Sequence, residues 1–190
     1  MIDPLLSTED LIQRANALRL NDLLQAQQYA ELAVARAEGQ VQLLAQALQI
    51  RGRIYSARGL LGQALEDALA ARQLFGQLGD HFSVAVQDAL IGNVYVHEGL
   101  FTDALTLYLQ ALPHIEQSQS SEWYARLLNN LGYAYVQIKM ADKAAPFIER
   151  CVALARQNGQ RLAKKNPPGG GFFSTYFFFA GSALAAGAAA

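Results

Sequence analysis

Apolar positions along the chain return at helical spacing, and the whole pattern then returns again. In the segment IGNVYVHEGLFTDAL, Ile91 to Leu105, Gly92 and Tyr95 lie three apart and share one helical face. Ile91 and Val94 widen that face, as Ile54 does beside Gly52 and Leu131 does beside Gly132. A second pattern follows each time, with small residues seven apart: Ala64 and Ala71, Ala104 and Ala111, Ala144 and Cys151. Seven residues are two turns, so each pair again shares a face. A small side chain there lets another helix approach closely, and the tyrosine fills the volume beside it. The columns Gly52/Gly92/Gly132, Tyr55/Tyr95/Tyr135, Ala64/Ala104/Ala144 and Ala71/Ala111/Cys151 all step by forty residues. Four columns in one register are an internal repeat.

The break between the two helices of each copy falls at Gly59, Gly99 and the Lys139–Met140–Ala141 segment. Thr102 and Asp142 are expected to cap second helices, each offering an oxygen to the free amides of a first turn. Pro146 then falls early enough in its helix for its missing N–H to be tolerated, whereas Pro113 falls late and should bend its helix or end it early. A weaker copy comes first: Ala26, Ala30 and Ala33 align with Ala64, Ala68 and Ala71 at an offset of 38. Its first helix begins near Ser7, where Ser7 and Asp10 form an imperfect capping box, and Arg14 and Ala17 replace the Gly–Tyr pair. Terminal repeats are commonly atypical because one side faces water. The expected fold is all-α, about eight helices in four helix–turn–helix repeats over residues 5–160, at about 5–38, 42–78, 82–118 and 122–158, the last helix ending near Gln157.

Composition narrows the function more than the fold. Of 190 residues, 52% are hydrophobic and 16% charged, enough apolar material for a core. A formal net charge of -1 argues against nucleic acid, which needs a surplus of Lys and Arg on one face. One cysteine, Cys151, makes no internal disulfide or thiolate cage, and MIDPLLSTED lacks the basic start and apolar run of a secretory signal, so a cytoplasmic location is the default.

The pattern L-G-x-x-Y, a glycine, then A-x-x-x-(apolar)-x-x-A resembles the tetratricopeptide repeat, most clearly in LLNNLGYAYVQIKMADKAAPFIERCVALA, Leu127 to Ala155. The forty-residue period and QLGD, Gln77 to Asp80, resemble bacterial arrays that precede signalling output domains such as diguanylate cyclases, kinases and transcriptional activators. The resemblance implies an α-solenoid scaffold that grips a peptide or partner helix in its concave groove and performs no chemistry, with no cofactor or metal. Family positions around the repeat glycine place Gln49 and Arg53, then Asn93 and His97, then Asn129, Tyr133 and Gln137 along that groove; Asn130 is a contact position in some relatives, and Arg126 lies one turn earlier. A side-chain amide carries a donor and an acceptor, so it can bracket one peptide unit of a bound chain. Relatives that clamp a terminal carboxylate use lysines beside such asparagines, and Ala89 occupies one of those positions, which speaks against that mode.

Other chemistry is thin. The small-residue column makes Cys151 a packed position, and His81, His97 and His114 lack metal-ligand spacing. GGGFFST has no lysine before its Ser-Thr and is no phosphate loop. Trp123 and Tyr124 open a repeat helix, where packing is the expected role. The tail, residues 161–190, breaks the repeat with Pro167-Pro168 and then runs without charge from Phe172 to Ala190. Three readings stay open for it. It is a membrane anchor held by Arg161, Lys164 and Lys165, a loosely packed end, or the product of a shifted reading frame that has cost the chain a catalytic output domain. A last repeat without a covering neighbour is expected to fray or self-associate.

Overall fold

The computed structural model describes Asp3 and residues 5–165. Among them the chain forms eight helices: α1 (Thr8–Leu18), α2 (Leu23–Arg36), α3 (Val41–Ala57), α4 (Leu61–Gln77), α5 (His81–His97), α6 (Phe101–Gln117), α7 (Ser121–Gln137) and α8 (Ala141–Lys165). The fold class is all-α, as the repeat predicts. A first unit from Met1 to Glu98 holds α1–α5, and a second from Gly99 onward holds α6–α8. In the first unit successive helices pack in chain order, α1 also touches α3, and α3 touches α5. In the second, α6 packs on α7 and α7 on α8.

From α3 onward each helix starts twenty residues after the one before, at 41, 61, 81, 101, 121 and 141. The forty-residue sequence period is therefore two geometrically equal halves. The turns explain it. The middle residue of each three-residue link is left-handed: Gly59 at φ 76°, Gly79 at 70°, Gly99 at 77°, Gln119 at 57° and Lys139 at 61°. A left-handed residue there folds the chain back on the helix end and satisfies its last carbonyls. Thus the Leu60, Asp80 and Met140 amides donate to the Tyr55, Phe75 and Tyr135 carbonyls at 2.9, 3.0 and 2.9 Å.

The small-residue columns sit where close approach is needed: Ala64, Ala71, Ala104, Ala111, Ala144 and Cys151 are all buried. In the first unit Leu11, Ala15, Ala26, Tyr29, Ala30, Ala33, Ala47, Ile50 and Ile54 form one apolar core. In the second, Tyr135 stacks on Phe147 with ring centroids 5.7 Å apart and planes within 8°. The start of α1 matches its predicted box: the Asp10 amide donates to Ser7 Oγ at 3.1 Å, and the Ser7 amide to Asp10 Oδ2 at 3.2 Å.

Three local expectations need correction. Thr102 lies inside α6, whose cap is Leu100, and Asp142 is likewise inside α8; neither is a cap residue. An acidic Asp142 in the first turn still suits the positive end of the helix dipole. Pro113 does not end its helix, because α6 continues to Gln117, anchored by buried Ala111 and Ile115 on either side, while Pro113 itself is exposed and the carbonyl it leaves free can meet water. Finally, α8 runs to Lys165, past Gln157. The three readings of the tail concern residues beyond 165 and lie outside the described residues. No described helix is long and apolar enough to cross a membrane.

Candidate functional site

The predicted contact positions divide between the units. Gln49 and Arg53 stand one turn apart on α3, both half-buried, and Asn93 and His97 one turn apart on α5, the first half-buried and the second exposed. All four lie on helices of the first unit that touch one another. The other five are on α7, where Arg126, Asn130, Tyr133 and Gln137 form a single stripe and Asn129 lies beside it. Arg126 pairs with Glu122 at 3.0 Å and its guanidinium lies 5.7 Å from the Trp123 ring centroid. Tyr133 meets Phe101 edge-on, centroids 6.4 Å apart. These two are held in place by contacts of their own, whereas Gln49 and Asn129 make no hydrogen bond through their amides among the described residues.

A cleft of about 240 Å³ opens in the first unit, lined by Gln42, Gln46 and Gln49 of α3, Phe75 and Leu78 at the end of α4, and Asp80 and Ser83 at the start of α5. The three glutamines follow helical spacing, so they share a face of α3. Asp80 caps α5, its Oδ1 accepting from the Ser83 amide at 2.9 Å. Of these residues only Gln49 was indicated by the sequence; the glutamine spacing and the aspartate before a helix were the available signals for the rest.

Three interhelical ion pairs were also missed, two of them in the first unit. Arg51 of α3 reaches Asp67 of α4, and Arg72 of α4 reaches Asp88 of α5 at 2.6 Å. The Asp67 hydrogen bonds hold the Arg51 guanidinium above its ordinary pKa despite partial burial. Arg51 also lies 5.6 Å from the Tyr55 ring centroid, and the Tyr55 hydroxyl donates to Glu31 at 3.3 Å; burial first, then the Glu31 and Asp67 charges, push that phenol up against the pull of Arg51. In the second unit Glu116 accepts from the Tyr124 hydroxyl at 2.9 Å and from Arg150 at 2.7 Å. These networks tie helices together.

Cys151 is buried with its Sγ 3.5 Å from the Ala125 carbonyl, and burial pushes the thiol up, away from reactivity. Among the described residues no group of three or more His, Cys, Asp or Glu side chains is placed to hold a metal ion. Trp123 is half-buried on α7.

Comparison with known proteins agrees with this architecture. Residues 83–157 match the tetratricopeptide repeat family. No curated protein matches the sequence. Among solved structures, BtubC from P. vanneervenii is 20% identical with a TM-score of 0.69, over 84% of this chain and 67% of its own. The apo form of RapI is 16% identical with a TM-score of 0.67, over 79% of this chain and 43% of its own. A signal transduction ATPase with a tetratricopeptide repeat sensor from Pyrococcus horikoshii is 18% identical with a TM-score of 0.66, over 85% of this chain and 26% of its own. At these identities the likeness is one of fold, and the chain spans less than half the length of the last two.

Proposed function

We infer that this tetratricopeptide repeat array is a protein-interaction module that holds a peptide or partner helix along the first helices of its hairpins, as the regulatory or sensory part of a cytoplasmic bacterial signalling protein. It acts by binding, not by catalysis. The observation that carries the reading is the state of its amides. Gln49 on α3 and Asn129 on α7 are half-buried, yet neither spends its side-chain donor or acceptor on the described residues. An amide in that state is matched by a peptide unit, which offers one acceptor and one donor in return. The sensory part of the reading takes its lead from the Pyrococcus horikoshii ATPase, whose repeats are its sensor.

The test is selection of peptides from a random displayed library against the full chain, followed by affinity measurement on Gln49→Ala and Asn129→Ala. Loss of one hydrogen bond of roughly 0.5–1.5 kcal/mol weakens binding about two- to tenfold. At least one of the two variants is expected to show that loss. Failure to select any peptide, or selected peptides indifferent to both changes, removes the reading.

A further inference from the structure

The cleft on the first unit has a chemistry of its own, and we propose that it is a pocket for a single basic side chain, arginine above all, of the bound partner. The proposal rests on the interaction-module reading and names what one of its faces selects. The lining sets the sign. Gln42, Gln46, Gln49 and Ser83 are neutral, Phe75 and Leu78 apolar, and Asp80 is the one charged residue in the lining. Three side-chain amides, a hydroxyl and a carboxylate therefore line a space with no cation in its wall, and the one net charge there is negative. Arg53, the next residue along the α3 face, is not part of the lining.

A helix N-terminus ordinarily invites an anion, because its first amides are free. Here the chain has supplied its own anion. Asp80 Oδ1 already accepts from the Ser83 amide at 2.9 Å, and Asp80 is half-buried. A second anion would meet that carboxylate without a balancing positive side chain. A neutral amide side chain would satisfy the glutamines but leave the carboxylate charge uncompensated. An apolar side chain would cover the amides and the carboxylate without pairing either. A basic side chain satisfies all three parts of the wall: its stem lies on Phe75 and Leu78, and its head donates to Asp80 and the amide oxygens. Arginine fits better than lysine because its planar head carries five donors in a fixed fork, enough to reach Asp80 and the glutamine amides of α3 together. The glutamine stripe also fits a chain laid along α3. Successive stripe positions lie about 6 and 4.5 Å apart along the helix axis, near the spacing of about 6.6 Å at which an extended peptide presents groups on one side.

The test uses the full chain, isotope-labelled, and a set of acetylated single-residue methylamides: arginine, lysine, norleucine and glutamate. The side-chain amide resonances of Gln46 and Gln49 are followed by NMR. The arginine compound is expected to shift both at millimolar concentrations, lysine more weakly, and norleucine and glutamate not at all. Asp80→Asn keeps a capping oxygen, since asparagine caps a helix as well as aspartate, and removes the charge. It is expected to melt with the wild-type protein and to weaken arginine binding about tenfold. Equal binding of arginine and norleucine, no shift with arginine, or undiminished binding in Asp80→Asn would each overturn the proposal. The two readings fail differently. Peptides selected without a basic residue, and insensitive to Asp80→Asn, sink the pocket and leave the module; the absence of any selected peptide sinks the module, while the arginine titration still decides the pocket.

Discussion

Arg51 and Asp67 close a two-pronged ion pair across the α3–α4 hairpin, Nε to Oδ2 at 2.8 Å and Nη2 to Oδ1 at 2.7 Å, with the Asp67 side chain only 7% exposed. Gly52, the next residue after Arg51, makes the approach possible: a Cβ there would stand 3.1 Å from Asp67 Cβ and 3.4 Å from the Ala64 carbonyl oxygen. The repeat glycine and the charge pair are thus one feature. Asp67→Asn keeps the shape and leaves the Arg51 guanidinium without its counter-charge. Breaking a fully buried pair costs about 3–5 kcal/mol; because Arg51 keeps 22% of its side-chain exposure, about 2–4 kcal/mol is expected here. Urea denaturation measures it. The double change Arg51→Met with Asp67→Leu should recover most of that loss, and a single-variant cost below about 0.5 kcal/mol would mean the pair is solvated and worth little.

The glycine, tyrosine and small-residue columns were readable because close helix approach restricts which side chains fit, and that restriction recurs with every hairpin. The charge pair was not readable. Residues 51 and 67 have no shared helical or strand period; they meet only once the length of the Arg58–Gly59–Leu60 turn has set the hairpin register. The twenty-residue step was hidden for a related reason. Gly39, Gly59, Gly79 and Gly99 all take positive φ, but the helices between them alternate in chemistry, so only every second one looks alike. Gln119 and Lys139 carry no sign of a left-handed backbone in their side chains. Among the candidate contacts, Gln49 and Asn129 are proposed from their place relative to a repeat glycine. Gln42 and Gln46 have no such place; they join a cleft only because the end of α4 and the start of α5 come alongside.

Gly132 and α8 give the sharpest steric prediction. A Cβ on Gly132 would fall 2.6 Å from Ile148 Cγ1, closer than packed carbon atoms tolerate. Gly132→Ala gains roughly 1 kcal/mol of helix propensity and loses about 1–3 kcal/mol to overpacking, so a net loss of up to about 2 kcal/mol is expected. Ile148→Ala in the same chain should turn the glycine substitution from harmful to favourable. Additive effects of the two changes would show that α8 simply moves aside.

Lys139 holds φ 61° where four other links of the same form use glycine or glutamine. A left-handed backbone costs an ordinary residue roughly 1–2 kcal/mol, part of which glycine returns to unfolded-chain entropy. Lys139→Gly is therefore expected to raise stability by about 0.5–1 kcal/mol, and Gly59→Ala to lower it by about 1 kcal/mol or more. Thermal melts of the two variants give the answer directly. Loss of stability in Lys139→Gly would point to a contact of the lysine side chain that outweighs the backbone.

Gln87 is fully buried on α5, and neither its Nε2 nor its Oε1 has a hydrogen-bond partner among the described residues. An unsatisfied buried polar group costs about 1–3 kcal/mol. Gln87→Met keeps length and flexibility without the polar atoms, and is expected to stabilise the chain by about 1–2 kcal/mol. A destabilised methionine variant would show that the amide is satisfied in solution, by water if not by protein.

Acid should find Glu116 early in the loosening of the second unit. Arg150 first, and the Tyr124 hydroxyl next, hold its carboxyl below the ordinary value of 4.5. A carboxylate whose folded value is depressed contributes stability that is fully present above the unfolded value and lost as pH falls through the folded one. The contribution of this group therefore stands at neutral pH and disappears below 4.5. Arg150→Met removes the larger cause and should move the Glu116 titration midpoint upward, as read from its side-chain carboxyl resonance. Asp10 is the internal control. Its own depression comes from the Ser7 side chain, with Ser7 backbone and Arg14 following, so its midpoint should stay where it is. A Glu116 midpoint unmoved by Arg150→Met would mean that the 2.7 Å contact is too transient in water to order the α6–α8 face, and Glu116→Gln would then leave the acid limb of the melting curve unchanged.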